Sequence, residues 1–134
     1  MYPIANMLTQ IQNAQKAKHP LVEVLFSKFN LEVARLLKEA NFLEDVQVKK
    51  KRVGPKETEF SYIEIKPSYT AGLGAIQGVD FISKPSRRIY AHKSDLKPIK
   101  SGYGLAVIST SKGVMSGETA KKAGLGGEVI FYIW

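Results

Sequence analysis

Residues 109 to 113, Ser109-Thr110-Ser111-Lys112-Gly113, set three hydroxyls, a lysine and a glycine in immediate succession. Each type has a use in binding. A hydroxyl both donates and accepts a hydrogen bond, so it suits a partner with mixed edges, such as ribose 2′-OH groups and bases. Lysine adds a mobile point charge for phosphate. Glycine lets the main chain take an unusual angle or approach a ligand closely. A solvated polar turn would have the same composition, and that reading stays open. Catalysis has less to stand on. A Ser-Lys nucleophile needs an acid or an oxyanion frame, and none is identifiable around Ser109 or Ser111. There is no Walker A loop and no G-x-S-x-G elbow, and the glycine after Gly72-Leu73-Gly74 comes at 78, one residue late for G-x-G-x-x-G. His19 and His92 have no cysteine or H-E-x-x-H partner, so no metal site is expected. The residues give no reason to expect an enzyme.

The flanking segments must position these groups. Leu105-Ala106-Val107-Ile108 is an apolar run that predicts a buried strand delivering the hydroxyls. Ser116 then reads as an N-cap, with Glu118 in the first turn, Lys121 and Lys122 near the other end and Gly124 as C′ residue, a short helix. Gly126-Gly127 turns the chain into a closing strand from Glu128 to Trp134. Upstream lies Ser83-Lys84-Pro85-Ser86-Arg87-Arg88-Ile89-Tyr90. From Lys84 to Lys112 there are seven basic residues and one acid, Asp95. Lys84, Arg87 and Arg88 can neutralise phosphates and Tyr90 can stack on an unpaired base. The alternatives are an edge strand protected by charge, and a packed strand tyrosine with its hydroxyl at the surface.

The rest of the chain agrees with a basic binding protein. Its 134 residues are 44% hydrophobic and 24% charged, ordinary for a folded domain, but the formal net charge is +8. That favours a polyanionic partner. Residues 1–67 hold 11 Lys and Arg against 8 Asp and Glu, a net of +3; residues 68–134 hold 9 against 4, a net of +5. Cysteine is absent, so thiol chemistry is excluded. Met1-Tyr2-Pro3 lacks a basic n-region, no apolar run approaches a membrane span, and a cytoplasmic location is expected.

Along the first half, Ile4, Met7, Leu8, Ile11 and Ala14 share one face of a helix that opens at Pro3 and ends at Lys18-His19-Pro20. A short strand from 21 to 26 follows. Ser27 caps a second helix with Phe29, Val33, Leu36, Leu37 and Ala40 on its apolar side and Asn41 as its stop. Strands at 42–49 and 57–66 flank a hairpin tip, Lys49 to Lys56, whose basic run reads equally as a solvated loop or a non-specific RNA contact. The turn formers of 67–74 make the best boundary. The fold class is therefore α+β, with an N-terminal αβαββ subdomain over 1–68 and a C-terminal subdomain over 69–134 that is mostly β with one short helix. A strand near 76–82, a turn at 95–98 and a reversal at Gly102-Tyr103-Gly104 complete the second part.

Ser-Thr-Ser-Lys-Gly-Val-Met from Ser109, the short helix, and Gly-Gly-Glu-Val before an aromatic-rich last strand closely resemble the C-terminal signature of family eight of the small-subunit ribosomal proteins, bacterial form. Residues 4–14 and 83–90 resemble two further motifs of that family. The family usually has aspartate where Asn6 stands and basic residues at Gln10 and Gln12, a proline at Leu25 and a glycine at Ser86. The resemblance implies a structural protein that binds a helical element in the central domain of small-subunit ribosomal RNA and helps assemble the platform. It implies neighbouring small-subunit ribosomal proteins as partners and, for some members, the messenger RNA of their own operon, with no cofactor and no membrane. By residue, it implies RNA contact at Ser109, Thr110, Ser111, Lys112 and Gly113, at Lys84, Arg87, Arg88 and Tyr90, at Thr9, Asn13 and Lys28, and at Glu128. The competing reading is a generic basic interaction protein that binds polyanions by charge alone.

Overall fold

Helix α1 (Pro3–Lys16) forms where apolar residues recur at helical spacing, and that face is the one that disappears: Ile4, Met7, Leu8, Ile11 and Ala14 are all buried. The computed structural model describes residues 3–54, 58–83, 87–91 and 104–134, which fall into two compact units, residues 3–75 and 76–134.

In the first unit, β1 (Val22–Leu25) alternates buried Val22 and Val24 with exposed Glu23 and Leu25. Helix α2 (Lys28–Glu39) starts at Ser27, whose hydroxyl accepts the Asn30 amide at 3.0 Å, and Asn41 beyond its end takes the left-handed φ of 67° common at helix stops. Strands β2 (Leu43–Val53) and β3 (Thr58–Pro67) form a long antiparallel hairpin, and β1 adds to β3, giving the order β1-β3-β2. Both helices touch this sheet, and Val33, Ala34 and Leu37 join Val22, Val24, Ile63 and Ile65 in the core. The turn-rich segment after β3 is a small hairpin of β4 (Tyr69–Thr70) and β5 (Leu73–Gly74). The Tyr69 hydroxyl donates to the carbonyls of His19 (2.8 Å) and Ala14 (3.1 Å), which ties this hairpin to the end of α1.

One expectation is corrected here. The basic run from Lys49 is not a hairpin tip: β2 continues through it to Val53. Lysine is a poor strand former, yet cross-strand partners hold the extension. Lys49 pairs with Glu64 at 3.0 Å, Lys50 with Glu59 at 3.9 Å and Lys51 with Glu23 at 2.6 Å, and the Lys51 ammonium lies 4.6 Å from the Tyr62 ring centre.

The second unit is built on β10 (Gly127–Ile133). One edge of β10 pairs with β8 (Leu105–Thr110), which pairs in turn with β9 (Gly113–Ser116). Its other edge is shared by β6 (Val79–Phe81) and β7 (Tyr90–Ala91), all antiparallel. Helix α3 (Gly117–Lys122) packs Ala120 against Ala106, Ile108 and Val129 on one face of this sheet. It is capped by Ser116, which accepts the Thr119 amide at 3.1 Å. Val129 pairs with Ile108 and Phe131 with Val107, so Ile130 is an inserted bulge residue. Its carbonyl does not go unused; it accepts the amides of Ile82 (3.1 Å) and Ser83 (3.3 Å). The strand expected at 76–82 is shorter, although Gly78 still exchanges both backbone hydrogen bonds with Trp134 and Gln77 also donates to the Trp134 carbonyl. The turn at 95–98 and the Gly102-Tyr103 reversal lie outside the described residues.

Candidate nucleic-acid interface

Residues directly opposite in a sheet share a face. Glu128 on β10 stands opposite Ser109 on β8 on one side and opposite Tyr90 on β7 on the other. Ser109, Glu128 and Tyr90 therefore form a row across one face. Further along the same strands that face is apolar, with Val107, Phe131 and Ile133 fully buried. Phe81 lies against Phe131 with 6.0 Å between ring centres. The face thus changes from core to polar surface between Val107 and Ser109 on β8 and between Phe131 and Glu128 on β10.

At one end of the row Tyr90 is 72% exposed, too open to be a packed strand residue. Its neighbour Arg88 places a guanidinium nitrogen 3.2 Å from the Glu128 carboxylate. That pair orients Glu128 while leaving part of the guanidinium exposed. A half-exposed pair of this kind adds little stability, about 0–1 kcal/mol, so its main effect is geometric. Arg87 is also exposed.

At the other end the row runs into the β8–β9 hairpin. The three hydroxyls are not one loop, as the sequence suggested. Ser109 and Thr110 belong to β8, and only Ser111 and Lys112 form the turn. The reason is the strand that follows: Gly113 to Ser116 pairs back onto β8, and its start at Gly113 has φ 113°, which favours glycine. The Thr110 hydroxyl is occupied within the turn. It donates to the Gly113 carbonyl at 2.9 Å and accepts the Lys112 amide at 3.1 Å. Thr110 shapes the hairpin, whereas Ser111 and Lys112 are exposed at its tip.

Two supporting features had no signal in the sequence. Gly127 meets β8 so closely that a Cβ there would be driven into the Ser109 carbonyl oxygen. Ser83 is fully buried and bonds the backbone of Ile89, just before Tyr90. Neither follows from spacing along the chain: Gly127 meets another strand, and Ser83 reaches Ile89, six residues on, because both are held at β10.

The structure brings Ser109, Thr110, Ser111, Lys112, Gly113, Arg87, Arg88, Tyr90 and Glu128 together in the second unit. Lys84 lies outside the described residues. Thr9, Asn13 and Lys28 are exposed in the first unit, Thr9 and Asn13 one turn apart on the solvent face of α1. Among the described residues no cluster of three or more His, Asp or Glu side chains could hold a metal ion, and no helix is long and apolar enough to cross a membrane.

A family profile described as Ribosomal protein S8 matches residues 2–134. The small ribosomal subunit protein uS8 of Caldicellulosiruptor bescii is 41% identical over 133 residues, which cover 98% of this chain and 96% of that protein.

Proposed function

The chain belongs to the ribosomal protein S8 family, and from that membership we propose that its second unit binds the central domain of small-subunit ribosomal RNA and helps assemble the platform. The coarser statements follow from the family itself: this is a structural, non-enzymatic constituent of the small subunit of the cytoplasmic ribosome, with ribosomal RNA and neighbouring ribosomal proteins as its partners. Binding of its own operon's messenger RNA belongs to the proposal, through the same residues.

The observation that carries the reading is the row Tyr90–Glu128–Ser109, with Arg87 and Arg88 at one end and the Ser111-Lys112 turn at the other. Regular A-form RNA hides its major groove, so selective binding needs unstacked bases and the 2′-OH groups of a shallow minor groove. The row offers an aromatic face, a carboxylate acceptor and hydroxyls within one narrow strip, while the cations supply phosphate contacts that position without selecting. In this reading Ser109, Ser111 and Glu128 discriminate, Lys112, Arg87, Arg88 and Lys84 neutralise phosphate, and Thr110 and Gly113 hold the turn. Thr9, Asn13 and Lys28 supply a second, weaker contact from the first unit. The lysines of β2 belong to the first unit and form no part of the row.

The test is a titration of a central-domain RNA fragment beside a perfectly paired hairpin of equal length, at several salt concentrations. Wild type is expected to prefer the ribosomal fragment by roughly a hundredfold or more. A Ser109→Ala, Ser111→Ala double variant, which spares the Thr110 turn, should lose most of that preference while keeping the salt slope, because the phosphate-binding charges remain. Equal binding of both RNAs by wild type would refute selective recognition and leave a polyanion binder. A preference that survives the double substitution would move recognition away from the hydroxyls.

A further inference from the structure

We infer that Ser83, which is fully buried and faces no solvent, is a positioning residue: its hydroxyl holds the Arg87–Tyr90 segment against β10 in the orientation that RNA needs. This rests on the RNA-binding reading above and assigns a role within it to a side chain that cannot touch RNA.

The Ser83 hydroxyl accepts the Ile89 amide at 2.9 Å and donates to the Ile89 carbonyl at 3.3 Å. One side chain thus satisfies both backbone groups of one residue, as a paired residue does in an antiparallel ladder. The connection is needed because the segment approaches β10 at its bulge. The Ile130 carbonyl accepts the Ser83 amide at 3.3 Å, and the Ile89 carbonyl accepts the Val129 amide at 2.9 Å. Ser83 and Ile89 are therefore each tethered to adjacent residues of β10, and the hydroxyl ties them to each other. Immediately after this tie come Tyr90, opposite Glu128, and Ala91, opposite Gly127. Immediately before it come Arg87 and Arg88.

Burial decides how much the hydroxyl matters. Ser83 is 0% exposed, so water cannot replace it. In Ser83→Ala the Ile89 carbonyl keeps its bond from Val129, but the amide loses the hydroxyl in a dry site, where an unpaired donor is strongly disfavoured. The segment relieves this by turning the Arg88–Ile89 peptide toward water while the Ile89 carbonyl stays on Val129. Arg87 and Arg88 move with it, and Arg88 leaves Glu128.

The experiment compares wild type, Ser83→Ala and Ile133→Val for binding to the central-domain fragment and the paired hairpin across a salt series, beside thermal unfolding. Ile133 is buried in the same unit, opposite Leu105 and away from the row, so its substitution controls for lost stability alone. Ser83→Ala should weaken binding about tenfold and lower the salt slope by about one to two, one per displaced arginine. Ile133→Val should change neither. The inference is overturned if Ser83→Ala keeps wild-type affinity and slope, or if Ile133→Val changes both equally. A wild type without preference for the ribosomal fragment fails at an earlier step, taking the RNA reading and this inference with it, and is seen before any variant is compared. Should Ser83→Ala not fold, amide hydrogen exchange in wild type decides instead. The tie requires the Ile89 amide to be protected like those of the β10 core, and exchange at an open-loop rate would refute it.

Discussion

Substituting Gly127 should damage stability and RNA binding together, because this glycine sets the distance between the two strands that carry Ser109 and Glu128. A Cβ at position 127 would overlap the Ser109 carbonyl oxygen and lie 3.0 Å from the Ser109 carbonyl carbon and 3.1 Å from Ile108 Cγ2. The Ile108 methyl can rotate away. The Ser109 peptide cannot, since it is pinned between β9 and β10. Relief therefore needs β8 and β10 to part by roughly an ångström at this end, enough to forfeit about half of the packing attraction there. The parting breaks the Glu128–Ser109 pairing at about 1 kcal/mol per hydrogen bond, and the overpacking adds about 1–3 kcal/mol. Gly127→Ala should thus cost about 2–4 kcal/mol, a fall in Tm of roughly 6–15 °C for a chain of this size. Urea unfolding followed by fluorescence measures it, since Trp134 is the single tryptophan and lies in the same unit. RNA affinity should drop as Ser109 and Glu128 separate. Gly124→Ala is the contrast. Gly124 has φ 71° with nothing within 4 Å of a Cβ, so only backbone strain of about 1 kcal/mol is expected, with RNA affinity intact. If Gly127→Ala unfolds within about 0.5 kcal/mol of wild type and binds RNA normally, the close approach of β8 and β10 is not what fixes the row.

Two other outcomes concern the first unit. The two-residue turn between Thr70 and Leu73 holds Ala71 at φ 52° and Gly72 at φ 79°, the geometry that Asn-Gly favours. Ala71→Asn should stabilise this unit by about 1 kcal/mol, measured by calorimetry, and no gain would mean the strain is relieved elsewhere. Stability should also fall at both pH extremes. A hydrogen bond from Lys38 holds Asp45 below its ordinary 3.8, so its contribution is present above that value and is lost as pH falls through the lowered one. Glu64 raises Lys49, and Glu23 raises Lys51, above the ordinary 10.5, so their contribution is present below 10.5 and is lost as pH climbs through the raised values. Burial raises Tyr69, which adds to the alkaline loss. Thermal unfolding against pH should show a plateau between these limits, and Asp45→Asn should flatten its acid edge; an unchanged acid edge would remove Asp45 from the explanation.

What the sequence determined by itself is what depends on neighbours a few residues apart. The apolar faces of α1 and α2, the caps at Ser27 and Ser116, the left-handed stops at Asn41 and Gly124, and the strand that delivers Ser109 all follow from such spacing. The family was legible too, because its signature is contiguous from Ser109 onward. The tertiary structure alone decided what each polar group faces. It gave the lysines after Val48 partners on β1 and β3, and so turned an expected loop into a neutralised strand. It took Thr110 out of the exposed hydroxyls by folding Gly113 back over it, and placed Arg88 against Glu128, forty residues away. Gly127 read only as a turn residue, and Ser83 as one more polar residue before a basic run. Their roles come from the carbonyl of Ser109 and the backbone of Ile89, which approach them only when β10 has taken its neighbours on both edges. Spacing along the chain carries no record of such cross-strand distances, because strand pairing and a single bulge at Ile130 set them.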